Sequence, residues 1–165
     1  MKILKIINRN SFEPQGYTIR KVVRSVVLDE NKTKVLFFGS MIVGGGVEEG
    51  ENDEEALARE AMEEAGATIE IIKPLGEVIA YRDYLKKKYI VHGYLCNLVG
   101  ELSSPTTQDK EEQKNEVTWI EIPKAIEKLQ NEIQSLLESP ELIKDDPTQR
   151  RIYNRQISLA FLLEI

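Results

Sequence analysis

Cysteine, histidine and tryptophan each occur only once in this sequence of 165 residues. The single cysteine, Cys96, excludes an internal disulfide bond, and the chain is compatible with a reducing compartment. Because Cys96 lies in an apolar segment, we expect it to be a small buried core residue. The single histidine, His92, has no Ser, Cys or Asp at a spacing that would mark a catalytic triad. We therefore interpret His92 as a residue of the sheet or core.

Excess positive charge and long apolar runs are also missing. The chain has 22 Lys and Arg against 28 Asp and Glu, a formal net charge of −6. This balance argues against binding to long nucleic acids or to an anionic membrane, because both attract a basic face. No segment approaches the roughly 18 apolar residues of a membrane span, and the start, MKILKIINRN, is too short an apolar run for a signal peptide. We therefore expect a cytoplasmic protein.

The length and the mixed composition predict a single domain over residues 1–165. Segments rich in β-branched residues and bounded by turn residues predict strands at 17–28, 34–38, 69–72, 76–84, 89–99 and 116–122. The first two of these strands should form a hairpin. Apolar periodicity predicts C-terminal helices at about 123–137 and 148–164. The polar segment 103–115 predicts an exposed loop.

A glycine triplet at 44–46 is followed by an unusually acidic segment. Between Glu48 and Glu64 there are nine carboxylates and a single cation, Arg59. Like charges at helical spacing destabilise a helix, so a group outside it should neutralise these carboxylates. A hard divalent cation such as Mg²⁺ is the first candidate, because such ions prefer clustered carboxylate oxygens.

The same segment carries the start and stop signals of one short helix. Asn52 and Glu55 have the spacing of a capping box, which predicts a helix beginning near Asp53, and Gly66 is typical of the residue that ends one. Helical periodicity places Leu57, Ala58, Ala61, Met62 and Ala65 on one side and Glu60, Glu63 and Glu64 on the other. We expect Ala56 to lie among the carboxylates, where its small side chain leaves room for ions.

Gly45, Glu51 and the run from Arg59 to Ala67 follow the pattern G-x5-E-x7-R-E-U-x-E-E-x-G-U, in which U is aliphatic. This pattern resembles the signature of the Nudix hydrolases at every charged and glycine position. The resemblance implies an α/β (α+β) fold, the Nudix-type α/β/α sandwich with a mixed central sheet. It also implies hydrolysis of a diphosphate bond in a nucleoside diphosphate linked to a further group X, such as a sugar or a second nucleotide.

The resemblance implies a metal site for Mg²⁺ or Mn²⁺ on Glu60, Glu63 and Glu64, joined by the backbone carbonyl of Gly45. Glu60 and Glu63 are then also catalytic, and Arg59 orients the carboxylates. Family members differ in the general base, which can come from a distant loop. Here Glu111, Glu112 and Glu116 occupy such a loop, and Glu112 is our candidate, with a merely solvated loop as the alternative.

Residues outside the motif must choose the substrate. Arg24 is a candidate for binding phosphate, although Arg20, Lys21 and Arg24 also fit a solvent-facing strand. Tyr84 lies 17 residues after Ala67, at a spacing similar to that of a tyrosine in relatives that cleave dinucleoside polyphosphates. The basic group Arg150, Arg151 and Arg155 fits a solvated helix face first, and a contact with substrate phosphate or a partner subunit second.

Two other functions remain open from the sequence. One is a pyrophosphatase of the same class with another substrate, either an oxidised or non-standard nucleoside triphosphate or a capped RNA end. The other is a catalytically silent Nudix domain that binds a nucleotide, although the complete set of carboxylates argues against it. The family and the last helix, with its apolar and basic residues, are compatible with a homodimer.

Overall fold

Seven strands form one mixed sheet in the computed structural model of the chain, which describes residues 1–7, 16–138 and 146–165, without the side chains of residues 84, 146 and 147. The strands are β1 (Ile3–Ile7), β2 (Thr18–Leu28), β3 (Lys34–Phe38), β4 (Met41–Ile42), β5 (Ile69–Arg82), β6 (Lys87–Leu98) and β7 (Val117–Glu121). Their order is β1-β5-β6-β2-β3-β4, and β7 pairs with β3.

Parallel and antiparallel pairs alternate in the centre of the sheet. β2 and β6 are parallel along their full length, whereas β5 and β6 are antiparallel. The expected hairpin of β2 and β3 is confirmed, with Leu28 opposite Val35. In its turn, a carboxylate oxygen of Asp29 accepts hydrogen bonds from the backbone N–H groups of Thr33 and Lys34, both at 2.8 Å. This local bonding satisfies backbone donors where the chain reverses.

The prediction of two separate strands at 69–72 and 76–84 is wrong, because the structure has a single strand there, β5. The chain continues as one strand from Ile69 to Arg82, and its register against β6 shifts between Ile71 and Lys73 and again between Pro74 and Gly76. Pro74 lacks the N–H that a regular ladder needs, and Gly76 adopts a φ of 153°, which glycine tolerates. The interval between the two predicted strands is therefore a bulged stretch of one strand.

Three α-helices of the described residues cover the two faces of this sheet: α1 (Asp53–Ala65), α2 (Ile122–Leu137) and α3 (Asp146–Leu162). Successive side chains of a strand point to opposite faces, so neighbouring residues separate into two cores. Val27 and Cys96 pack with Ala61 and Ala65 of α1, whereas Val26 packs with residues of α2 and α3. The expected α/β/α sandwich and the buried position of Cys96 are both confirmed.

α3 lies directly against the centre of the sheet. The ring of Phe161 fills the space beside Gly93 of β6, where an added Cβ would lie 2.2 Å from the ring. The buried Arg155 donates to Glu132 and thereby fixes α3 against α2. Within the described residues, no helix is both long and apolar enough to cross a membrane.

Candidate active site

The caps of α1 lie where the sequence predicts them. Asn52 Oδ1 accepts from the backbone N–H groups of Glu54 and Glu55 at 2.9 and 3.0 Å, and the Glu55 carboxylate accepts from the Asn52 N–H at 2.9 Å. At the other end, Gly66 is left-handed with a φ of 60°. An added Cβ there would lie 2.0 Å from the Ser103 carbonyl, so only glycine fits.

The buried side of α1 agrees with the prediction at Leu57, Ala61 and Ala65 and differs at two other alanines. Ala56 is fully buried against Val23 and Leu57, whereas Ala58 is exposed. The predicted place of Ala56 among the carboxylates is therefore wrong, because the sheet covers the helix on that side. Glu64 also lies on the inward side and is only 5% exposed.

Arg59 is the centre of a network that ties the acidic loop to the helix. Its guanidinium donates to both carboxylate oxygens of Glu51, at 2.7 and 3.0 Å, and to the carbonyl oxygen of Gly46 at 2.8 Å. It also donates to Glu60 at 2.9 Å and to Glu63 at 3.1 Å. The hydrogen bond from Arg59 is the main cause that lowers the pKa of Glu51 to about 2. This geometry supports the predicted orienting role of Arg59.

Glu64 lies behind the glycine triplet and next to Arg24. Its Oε2 accepts from the Gly44 N–H at 2.8 Å. Burial raises the pKa of Glu64 to about 8, although the positive charge of Arg24 and the Gly44 hydrogen bond oppose this shift. Arg24 in turn donates to the carbonyl oxygen of Gly44, and desolvation lowers the Arg24 pKa. Glu64 is therefore a carboxylate whose charge the protein alone does not fully stabilise.

Glu60 touches the glycine triplet directly. An added Cβ at Gly45 would lie 2.3 Å from Glu60 Oε1, so the absence of a side chain is needed for this approach. Burial also raises the pKa of Glu60. The Gly45 carbonyl accepts from the Val23 N–H at 2.9 Å, so its predicted metal bond would use the second lone pair of that oxygen.

These residues line a cleft of about 410 Å³ on the α3 side of the sheet. The cleft brings together five of the predicted site residues, Arg24, Gly45, Glu60, Glu64 and Glu112. Arg59 and Glu63 are absent from its described lining, and the Tyr84 side chain lies outside the described part of the chain. The Glu63 side chain is 41% exposed and bonds to Arg59. The expected convergence of Glu63 with Glu60 and Glu64 is therefore not seen in this arrangement.

The donor chemistry of the cleft fits a hard divalent cation. Glu60 Oε2 and Glu64 Oε1 have no hydrogen-bond donor among the described residues, and both carboxylates face the cleft. Across residues 1–7, 16–138 and 146–165, no three His, Cys, Asp or Glu side chains are gathered tightly enough to form a complete metal site. In this arrangement a cation would be held by the carboxylates of Glu60 and Glu64, with other ligands from the backbone, water or substrate.

Glu112 reaches the cleft from the distant loop, as expected for the candidate base. It begins a short 3-10 turn, Glu112–Lys114, and its Oε2 accepts from the Thr107 hydroxyl at 2.6 Å. Its negative charge contributes to the raised pKa of Glu64, which places the two carboxylates in one electrostatic site. Glu111 and Glu116 are not among the described residues that line the cleft.

Sequence reasoning missed Arg82 and Tyr89, which line the cleft beside Arg20. The Arg82 guanidinium lies 5.6 Å from the Tyr89 ring centre, and its Nη1 is 3.4 Å from the Tyr89 hydroxyl. Tyr89 lies opposite Arg20 in the β2–β6 ladder. The only sequence signal for this arrangement is strand alternation, which identifies a face once the register is known.

His92 lies away from the cleft, as expected for a packing residue. Its Nδ1 is 2.5 Å from Asp53, at the start of α1, and its Nε2 is 3.3 Å from Glu77 of β5. The Tyr94 hydroxyl donates to the same Asp53 oxygen at 2.7 Å. These contacts anchor the beginning of α1 on the sheet.

Comparison with known families and structures agrees with this architecture. The family model described as NUDIX domain matches residues 19–139. A NUDIX hydrolase from Nitrosomonas europaea is 16% identical with a TM-score of 0.57, over 85% of this chain and 90% of that one. The MutT protein from Methanosarcina mazei Go1 is 19% identical with a TM-score of 0.51, over 67% and 83%. The E. coli ORF135 protein is 18% identical with a TM-score of 0.51, over 67% and 79%.

Comparison with curated proteins gives no significant match. The structural matches establish the fold, and the family model covers most of the chain, including the whole glycine and glutamate motif. The chain therefore belongs to the Nudix hydrolases, a family of pyrophosphohydrolases.

Proposed function

We propose that this protein is a divalent-metal-dependent pyrophosphohydrolase that cleaves a diphosphate bond in a nucleoside diphosphate joined to a group X. The observation that carries the proposal is the meeting of Glu60 and Glu64 with Arg24 and Glu112 around one cleft. This combination supplies carboxylates for a cation, a guanidinium for phosphate and a further carboxylate for proton transfer.

Glu60 and Glu64 are the proposed residues that hold Mg²⁺ or Mn²⁺, through the oxygens that face the cleft. Glu63 is the predicted third ligand, and it would have to turn from Arg59 toward the cleft. When bound, the cation supplies neutralisation of phosphate charge and acidification of a coordinated water. Burial disfavours a negative charge on Glu60 and Glu64, and a bound cation would offset this cost.

The other residues act on the substrate and on a proton. Arg24 faces the cleft beside Glu64, so its charge can offset negative charge on the phosphates. Glu112 is the proposed base that accepts a proton from the attacking water at one of its carboxylate oxygens. Arg59 keeps Glu60 and the loop at Gly46 in place through its hydrogen bonds.

The proposal is tested with Glu60→Gln and Glu64→Gln in a nucleotide panel assayed over a range of Mg²⁺ concentrations. We expect each change to lower kcat/KM at least about 100-fold, because metal coordination contributes several kcal/mol to stabilising the transition state. Glu49→Gln is the matched control, because Glu49 belongs to the same acidic segment and is exposed. Turnover within a few-fold of wild type in both cleft variants would contradict the mechanism.

Product identity separates the remaining functions. Release of a nucleoside monophosphate together with phosphorylated X supports the proposed reaction, whereas release of pyrophosphate from triphosphates supports a triphosphate pyrophosphatase. Nucleotide binding without turnover of any member of the panel would indicate a silent binding domain.

A further inference from the structure

A second depression of about 260 Å³ opens next to the main cleft. We call it the arginine depression, after its lining residues Phe38, Ser40, Met41, Asn115, Arg150, Arg151, Asn154 and Arg155. Met41, Arg150 and Asn154 line both spaces, so the two are contiguous. No carboxylate belongs to the described lining of the arginine depression.

Among the described residues, two of the three arginines have no counter-charge. Arg155 is buried and forms an ion pair with Glu132, so its charge is offset. Arg150 and Arg151 are exposed and make no side-chain hydrogen bond or ion pair with any described residue. Arg150 is also close enough to Arg24 for its charge to contribute, after desolvation, to the lowered pKa of Arg24.

Arg150 and Arg151 place two adjacent cations at the edge of the main cleft. The whole chain carries a formal charge of −6, yet the neighbouring positions 150 and 151 are both cationic and lie beside a cleft that already contains Arg20, Arg24 and Arg82. Repulsion between such groups falls when an anion lies between them, and the planar guanidinium matches phosphate oxygens well. The side chains of Asn115 and Asn154 add neutral hydrogen-bond donors to the same wall.

We propose that the arginine depression binds a phosphate group beyond the cleaved diphosphate, so that the preferred substrate carries a chain of three or more phosphates. This inference rests on the proposed pyrophosphohydrolase function and specifies its substrate class. A substrate with a neutral group X, such as an unphosphorylated sugar, would leave Arg150 and Arg151 without an anion.

Diadenosine polyphosphates with two, three or four phosphates provide a matched series, because only the phosphate chain changes. We expect the wild-type kcat/KM to rise about tenfold or more from two phosphates to four, as charge-assisted hydrogen bonds to the additional phosphates contribute. In Arg150→Gln/Arg151→Gln, the ratio of kcat/KM for four phosphates to that for two should fall about tenfold. Arg150→Lys keeps the positive charge, so its ratio should lie between those of the double variant and the wild type. Lys124→Gln, on the exposed surface of α2, should keep the wild-type ratio.

A binding measurement without turnover accompanies the kinetics. Inorganic triphosphate should bind the wild type more tightly than inorganic diphosphate in calorimetric titrations, and the double variant should abolish this difference. If metal-dependent turnover is normal but the wild type shows no dependence on phosphate number, the subsite is wrong and the proposed function stands. If no substrate is hydrolysed while triphosphate binding still depends on both arginines, the function is wrong and the subsite stands.

Discussion

Arg59 donates two parallel hydrogen bonds to the Glu51 carboxylate, from Nε to Oε1 at 2.7 Å and from Nη2 to Oε2 at 3.0 Å. The two residues are eight positions apart, so the pair joins the loop after the glycine triplet to the middle of α1. Glu51 Oε2 also accepts from the Glu48 N–H at 2.9 Å, which folds the loop back on itself. The pair therefore determines where the loop lies relative to Glu60.

Glu51→Gln should lower the free energy of unfolding at neutral pH, and the deficit should shrink in acid. Because folding lowers the pKa of Glu51 from 4.5 to about 2, its stabilisation is fully present above pH 4.5 and is lost as the pH falls toward 2. Urea unfolding followed by circular dichroism over this pH range measures the difference. Glu49→Gln, which changes an exposed acid nearby, should show no such narrowing.

Arg59→Lys should lower kcat although it keeps the positive charge. A lysine ammonium cannot make the paired contact with Glu51 and at the same time hold Glu60 and the Gly46 carbonyl. Misplacement of a catalytic group by about 1 Å can cost about 100-fold in rate, so we expect a loss of that order. Steady-state kinetics, with circular dichroism to confirm folding, check this; an unaffected kcat would show that charge alone suffices.

Glu112→Gln should lower kcat about 100-fold or more if Glu112 is the general base. The substitution keeps the size of the side chain and removes its capacity to take up a proton. Glu111→Gln is the matched control, because Glu111 is the preceding residue and its side chain is 82% exposed. A loss confined to KM would assign Glu112 to substrate binding, and equal losses in both variants would point to disturbance of the loop.

Gly45→Ala should raise the Mg²⁺ concentration needed for half-maximal activity. The added Cβ would lie 2.3 Å from Glu60 Oε1, so the carboxylate must move or the loop must shift. Gly100→Ala is a control of a different kind, since its Cβ meets nothing within 4 Å and the main cost is left-handed backbone strain of about 1 kcal/mol. An unchanged metal dependence in Gly45→Ala would show that Glu60 does not depend on this approach.

The local parts of the site were predictable because their signals lie within one helix and its flanking loops. The cap residues Asn52 and Gly66 and the orienting residue Arg59 depend on contacts between residues close in sequence. Two alanines of α1 were assigned to the wrong side, with Ala58 inside and Ala56 outside, because alanines give a weak periodic signal. Which side faces the sheet is decided by packing against Val23, which is distant in the chain.

The remainder of the cleft depends on strand register and helix placement. Tyr89 lies on the same face as Arg20 only because β2 and β6 pair in parallel at those positions. Arg150 belongs to the last helix and lines the cleft together with Met41 because α3 packs on the sheet. Bulges at Pro74 and Gly76 also shift the register of β5, so even a correct list of strands does not fix which side chains face the cleft.

The contact between Gly93 and Phe161 has a consequence for enzyme engineering. The ring of Phe161 occupies the space that a side chain at Gly93 would need. This contact sets how closely α3 approaches the middle of β6. Arg150 and Asn154 belong to that same helix and line the cleft, so a contact inside the core contributes to the width of the cleft. Paired changes at Gly93 and Phe161 should therefore alter the width of the cleft without changing any residue of its described lining.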